Sequence, residues 1–393
     1  MRVLYLSQTT DNGGATIALR NIIKEINGKV SVAVLVPSNK GWLVDELNQL
    51  NCKLYTAEYE MMIYPTSNIS KYGLWNPIGY MKFFKGLYNK FYKRIKVAKS
   101  LEKIIKEFQP DIVHCNCGPL DIALSVCNKM GILHVWHLRE YLPVDSNMHV
   151  IPSLSYFKRK LHKEGNYNIA ITKGIFKYYN LRERIDEVIY DGVFDESLIN
   201  EFKDTEKENY FLAVGRIEES KGTLFLLDTF LRFHQEYPTV KLLLAGGFSS
   251  KTYFHLCEEF VSTHGLCDNV KFLGLRKDIY SLMKNAMALV VSSPSEGFGF
   301  ITVEAMLNGC LVIGRNTAGT KEQFDNGLNK YGQDIALRFD DSNQLLSHMK
   351  HVMDSSELQM RRLAYQLVVE KYSIQLHIKQ LLKFYNRILN DKK

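Results

Sequence analysis

Residues 293–305 read Ser-Pro-Ser-Glu-Gly-Phe-Gly-Phe-Ile-Thr-Val-Glu-Ala, and their reading decides the fold. The apolar run Ala286–Val291 in front of them predicts a buried strand. Pro294, Gly297 and Gly299 end it, and Phe300–Leu307 predicts the start of a helix. A glycine-bearing turn from strand to helix presents backbone N–H groups at a helix N-terminus, which suits an anion such as phosphate. Glu296 falls in that turn and Glu304 lies just over one helical turn beyond it. Carboxylates beside an anion site are costly unless each binds something, and sugar hydroxyls are suitable partners. The stretch predicts an α/β protein with a nucleotide-sugar site.

Working outward, the chain alternates strand with helix. Arg2–Ser7 predicts a strand, followed by a turn holding Gly13 and Gly14 and a helix to about Ile26. Further strands are predicted at 30–36, 53–57, 111–115, 133–137, 168–171 and 187–190. The polar stretch Asp195–Asn209 resets the pattern, and strands recur at 210–214, 240–245, 270–273, 287–292 and 311–314. The last residues, Glu357–Leu389, are helical by period. Two doubly wound parallel-sheet domains follow, placed at 1–200 and 205–370, with a C-terminal helical segment at 371–393. Ligands of such sheets bind at the carboxyl ends of the strands, so two facing domains predict a cleft.

The 393 residues are 46% hydrophobic and 23% charged, an ordinary globular balance. No stretch approaches the ~20 apolar residues that span a bilayer. The N-terminus MRVLYLSQTT reads as a first strand and not as a signal peptide, which gives a cytoplasmic expectation. Seven scattered cysteines without a CxxC pair are expected to be buried, reduced and structural. The net charge of +8 is uneven. From Lys71 to Lys106, ten cations face only Glu102, among Trp75, Tyr80, Phe83, Phe84, Tyr88, Phe91 and Tyr92. An amphipathic basic-aromatic segment over 71–108 suits an anionic membrane surface. The alternative is a solvated helix face packed by its aromatics. No nucleic-acid motif accompanies the charge.

Gly215 ends a predicted strand, Arg216 follows, and Lys221 sits near the next helix start, which puts both cations at the ligand edge. Together they can stabilise a departing diphosphate without a metal. The alternative reading pairs them with Glu218 and Glu219 as loop cations. His137 ends a strand within Val-Trp-His-Leu-Arg-Glu, as His114 ends another. For both, a purely structural histidine is the competing reading, and it is the stronger one for His114.

Taken together, Gly215-Arg216 with Lys221 and Glu296-Gly-Phe-Gly-Phe-Ile-Thr-Val-Glu304-Ala resemble the group-1 (family 4) glycosyltransferases of the GT-B fold. Pro110-Asp-Ile-Val-His114, Ile189-Tyr-Asp-Gly-Val193 and Phe272-Leu-Gly274 are similar to the family pattern as well. The resemblance implies a retaining enzyme that moves a sugar from a nucleoside-diphosphate sugar to a glycan or lipid-linked acceptor, in surface polysaccharide or lipid-linked glycan assembly. It implies no cofactor and no metal, and the lack of a D-x-D agrees. Arg216 and Lys221 would hold the diphosphate, and Glu304 the ribose hydroxyls. Amides of Gly297, Phe298, Gly299 and Phe300 would meet phosphate and sugar, and Glu296 the sugar hydroxyls. Leu273 and Leu275 would offer backbone contacts to the base, Gly14 would line the cleft, and His137 would bond the sugar. Arg139 and Glu140 would shape the acceptor pocket, and the helix from Ser373 would cross back to the first domain. The chain would work in the cytoplasm, with peripheral association at the inner face of the membrane. Two alternatives stand beside this: a non-catalytic nucleotide- or sugar-binding protein on the same fold, and a dinucleotide-dependent oxidoreductase reading the Gly13-Gly14 turn.

Overall fold

A computed structural model describes residues 1–65, 77–118, 120–142, 144, 148–199 and 201–391. The chain divides into two units, one of residues 1–192 with 374–393 and the other of residues 193–373.

In the first unit the β-branched and aliphatic runs form β1 (Arg2–Leu6), β2 (Ser31–Val36), β3 (Lys53–Thr56), β4 (Ile63–Pro65), β5 (Ile112–Cys115), β6 (Leu133–Leu138), β7 (Met148–Val150), β8 (Asn166–Ala170) and β9 (Glu187–Val188). Seven of them make a parallel sheet in the order β3-β2-β1-β5-β6-β8-β9, while β4 and β7 pair antiparallel apart from it. The short β4–β7 pair was not anticipated, since three residues carry no readable period. The helices between are α1 (Gly14–Ile26), α2 (Trp42–Gln49), α3 (Pro77–Phe108), α4 (Leu124–Met130), α5 (Leu154–Leu161) and α6 (Lys173–Tyr178).

The second unit holds β10 (Glu208–Val214), β11 (Lys241–Ala245), β12 (Val270–Gly274), β13 (Ala286–Val291), β14 (Leu311–Arg315) and β15 (Leu337–Phe339), parallel in the order β12-β11-β10-β13-β14-β15. Its helices are α7 (Thr223–His234), α8 (Lys251–Thr263), α9 (Ile279–Asn285), α10 (Phe300–Leu307), α11 (Ala318–Tyr331), α12 (Ser342–Asp354) and α13 (Leu358–Lys371). The helical C-terminus breaks at Tyr372–Ser373 before α14 (Ile374–Asp391), which belongs to the first unit. Val193 N donates to Tyr372 O at 2.8 Å, and Phe194 bridges to Ser373, so the boundary falls at Gly192, ahead of the polar stretch 195–209.

The cores explain why these elements stack. Ile378, Leu381, Phe384 and Ile388 recur at helical spacing along α14 and bury against Leu19 and Ile22 of α1 and Val3 of β1. Each such side chain taken out of water contributes about 1.5–3 kcal/mol. Phe211, Leu226, Phe230, Leu242 and Ile313 fill the same role in the second unit. Each sheet reverses its winding once, between β1 and β5 and between β10 and β13. Crevices at such reversals hold the ligands of open α/β sheets.

Helix α3 carries most of the basic-aromatic segment; Lys71 and Trp75 lie outside the described residues. The count of a single opposing acid is corrected by the fold. Lys90 pairs with Glu60 and Lys93 with Glu58, each at 2.7 Å, and Arg94 reaches Asp121 at 3.3 Å. Those acids come from distant sequence and were invisible to a local charge count. Among the described residues no helix is long and apolar enough to cross a membrane.

Candidate active site

The second unit's reversal brings together the loops after β10 and β13. Gly215, Arg216, Lys221, Ser292, Ser293 and Glu296 line one pocket there. Close approach builds it: a Cβ on Gly246 would stand 2.0 Å from the Gly215 carbonyl oxygen, so β10 and β11 can end side by side only with glycine. Ser292 Oγ donates to the Lys221 carbonyl at 2.8 Å, which ties the Lys221 turn to the end of β13.

Lys221 Nζ donates to Glu296 Oε1 at 2.6 Å. Arg216 lies 3.1 Å from Glu218 and keeps 64% of its side chain exposed. The loop-cation alternative thus describes Arg216 with Glu218, but Lys221 pairs across the pocket and not with Glu219. Such partly exposed pairs contribute only ~0–1 kcal/mol, so either cation can exchange its partner for an anionic ligand at little cost.

The backbone of 296–299 is held from behind by α11. Gly319 N donates to Glu296 O at 2.8 Å, and Gln323 Nε2 donates to Phe298 O at 2.6 Å and to Gly299 O at 3.2 Å. In a trans peptide the carbonyl and the following N–H point opposite ways. Carbonyls turned to α11 therefore direct the N–H groups of Gly297, Phe298, Gly299 and Phe300 away from it. Gly319 allows this approach, because a Cβ there would lie 2.7 Å from the carbonyl oxygens of Glu296, Gly297 and Phe298. The Phe298 ring is buried against Phe300 and Tyr372, with centroids 5.3 and 5.6 Å away. Gly299, left-handed at φ +85°, caps α10. Ala318, at the first position of α11, is also left-handed at φ +47°, a strained conformation for a residue with a Cβ.

Glu304 lies in α10 and is largely buried; burial pushes its carboxyl up to about 7, partly offset by a hydrogen bond with Tyr280. Glu304 lies outside the lining of the pocket, as do Leu273 at the end of β12 and Leu275 just past it, the latter 88% exposed.

In the first unit, Gly14 opens α1 beyond β1, and Asn116 Nδ2 donates to the Ala15 carbonyl at 2.8 Å, tying that turn to the end of β5. His137 lies near the end of β6, fully buried, and His114 faces it from β5 with Nε2 3.2 Å from His137 Nδ1. The expectation that Arg139 shapes an acceptor pocket is corrected. Its guanidinium is buried on the Asp191 carboxylate and on Asn116, which leaves no charge for a ligand.

Sequence reasoning missed Gly319 and Gln323 behind the loop, Asp191 behind Arg139, and His377 and Tyr385 of α14 beside the two histidines. The last two fall on the buried face of an amphipathic helix, where their spacing reads as core. Among the described residues no group of three His, Cys, Asp or Glu side chains is placed to hold a metal ion. Cys267 is exposed and Cys52 half-buried, unlike the other five, which are buried.

Residues 195–364 match the family model of the glycosyl transferases group 1. The capsular polysaccharide biosynthesis glycosyltransferase CapH of Staphylococcus aureus is 21% identical over 390 residues, covering 90% of this chain and 92% of CapH. An uncharacterised glycosyltransferase of Methanocaldococcus jannaschii is 25% identical over 239 residues, covering 55% of this chain and 58% of that protein. Among solved structures, HepE of Anabaena in complex with UDP-glucose superposes with a TM-score of 0.75 at 19% identity, covering 98% of this chain and all of that one. With the Lys221–Glu296 pocket seated at the reversal of a parallel sheet, the chain resembles the group 1 glycosyltransferases over residues 195–364 and has the GT-B fold.

Proposed function

We propose that the chain transfers a sugar, with retention of anomeric configuration, from a nucleoside-diphosphate sugar to an acceptor hydroxyl during assembly of a surface polysaccharide or lipid-linked glycan. The observation that carries the reading is the pocket lined by Arg216, Lys221 and Glu296, followed in the chain by the 297–300 backbone, whose amides face away from α11. The resemblance to CapH supports the polysaccharide context. Arg216 and Lys221 take the diphosphate, and Glu304 the ribose. Leu273 and Leu275 flank the base, and Glu296 accepts from sugar hydroxyls. The bond from the anomeric carbon to the diphosphate breaks and its electrons leave on the diphosphate. A diphosphate oxygen on the same face takes the proton of the incoming hydroxyl, whose oxygen bonds to the anomeric carbon on the face that the diphosphate leaves. The protein supplies position and positive charge, which make a metal unnecessary.

A panel of UDP-, GDP- and dTDP-sugars tests this by donor hydrolysis, with the product's anomeric configuration read by NMR. If no donor is hydrolysed and no nucleoside diphosphate raises the melting temperature, the reading fails.

The same reading places the chain in the cytoplasm, bound peripherally to the inner membrane face through α3. Met81, Phe84, Tyr88, Phe91 and Ile95 recur three and four residues apart on α3, and all are exposed. Lys82, Lys85, Lys96 and Lys99 are exposed on the same helix. Apolar side chains flanked by lysines suit an anionic lipid surface. Co-sedimentation with phosphatidylglycerol vesicles at moderate salt tests it, and no binding removes the membrane from the proposal.

A further inference from the structure

A buried chain of hydrogen bonds crosses the first unit from β1 to β6. The Tyr5 and Tyr385 hydroxyls lie 2.9 Å apart, the Tyr385 hydroxyl lies 2.6 Å from His114 Nδ1, and His114 Nε2 lies 3.2 Å from His137 Nδ1. Arg139 closes the far side. One terminal nitrogen of its guanidinium is 3.3 Å from the same His137 Nδ1 and 3.1 Å from Asn116 Oδ1, while the other grips the Asp191 carboxylate. All of these side chains are buried.

The direction of every proton follows from one group. A guanidinium only donates, so His137 Nδ1 accepts and its ring proton sits on Nε2. His114 Nε2 faces that same lone pair and must donate to it. His114 Nδ1 then accepts from the Tyr385 hydroxyl, and Tyr385 in turn accepts from Tyr5. Four groups titrate or carry charge close to His137: His114 from β5, Arg139 just past β6, and His377 and Tyr385 from α14, with Asp191 behind the arginine. His377 stacks parallel to His137 at 6.0 Å and donates from Nδ1 to the Tyr190 carbonyl. Burial first, then Arg139, His114 and His377, hold His137 well below the ordinary histidine range. Its Nε2 is enclosed and makes no hydrogen bond among the described residues. A buried donor without a partner is costly, and a ligand oxygen that meets it recovers the cost.

We propose that Arg139 and the Tyr5–Tyr385–His114 chain act as positioning residues that lock His137 as its neutral Nε2–H tautomer, a hydrogen-bond donor to a substrate oxygen and not a general base. The proposal deepens the transferase reading and rests on it for the identity of that oxygen.

Long-range proton–nitrogen correlation NMR of the full chain with 15N-histidine reads the tautomer directly, the His137 signals being those lost in His137→Gln. The expected result is a proton on Nε2 and a neutral ring between about pH 6 and 8. A proton on Nδ1, or titration near 6.5, overturns the proposal. In a folded Tyr385→Phe variant His114 Nδ1 loses its donor, so the His114 signals should shift toward a mixture of tautomers while Arg139 keeps the His137 proton on Nε2. Unchanged His114 signals there would overturn the role of the tyrosine chain. His137→Gln carries an N–H donor and no titratable base, so its kcat/KM with the donor selected from the sugar panel should fall but keep the wild-type pH profile. His137→Ala should lose more, and equal losses in the two would overturn the donor role. Should wild type turn over no donor in the panel, the transferase reading fails by itself, while the tautomer measurement still decides the lock.

Discussion

The Lys221–Glu296 contact makes a two-sided prediction, because in the proposed reaction one ammonium serves a carboxylate at rest and a diphosphate when the donor arrives. At 2.6 Å the contact is direct, but Lys221 keeps 30% and Glu296 17% of the side chain exposed, so solvent screens it. A pair of that kind contributes about 0.5–1 kcal/mol. Glu296→Gln frees the ammonium and removes a negative charge from the phosphate site, so a nucleoside diphosphate should bind about two- to fivefold tighter. Turnover should nonetheless fall by roughly 10²-fold, since the amide does not accept strongly from the sugar hydroxyls. Lys221→Ala should weaken the same nucleotide by about tenfold or more, the loss of one charge-assisted hydrogen bond with an unbalanced carboxylate left behind. In the double variant the two effects should not add, because each single change alters the other's partner. Isothermal titration with UDP, or whichever nucleoside diphosphate the thermal screen selects, measures the affinities, and donor consumption measures turnover. If Glu296→Gln weakened nucleotide binding tenfold, Glu296 would be orienting Lys221 for the diphosphate and not competing for it, and the reasoning would be wrong.

Three further outcomes follow from the geometry. Glu304 keeps its proton in the folded chain up to about 7, while the unfolded carboxyl releases it near 4.5, so its ionisation draws stability away as pH rises through that window. Thermal unfolding between these pH values should show that slope, below ~1.4 kcal/mol per pH unit, and Glu304→Gln should flatten it; parallel curves would contradict the assignment. Gly319→Ala drives a Cβ against three carbonyl oxygens and should cost about 1–3 kcal/mol and most of the turnover, whereas Ala318→Gly relieves a left-handed alanine and should leave the melting temperature equal or higher. The two melting curves together check the account of how α11 holds the loop. Phe84→Ser with Tyr88→Ser on α3 should abolish sedimentation with anionic vesicles without changing donor hydrolysis in solution, and equal sedimentation of the variant would move the contact elsewhere.

The legible parts of this protein were those whose physics is local. Strand and helix alternate in step with apolar period, and the strand ends from Arg2 to Leu311 fall within a few residues of where the runs begin and stop. The strands too short to show a period, β4, β7 and β15, could not be read that way. The 293–305 stretch declared its turn because glycine and proline restrict or free the backbone in ways that need no partner. Its two glutamates and Gly215-Arg216 with Lys221 were legible as charged groups at strand ends, and the structure brings Arg216, Lys221 and Glu296 to one pocket.

What only the tertiary structure decided is who faces whom. Lys221 meets Glu296 across 75 positions, Lys93 meets Glu58, and Arg139 is buried on Asp191 instead of being offered to a ligand. Tyr385, more than 250 residues from His114, completes the chain that orients His137. Residue type and period describe what a segment presents on each face, but they do not name the surface that covers it. Charge pairing and tautomer depend on that surface. For this chain the amino-acid sequence settled the fold class and the residue types of the 293–305 loop, and the packing of α11 settled which way the carbonyls of that loop turn.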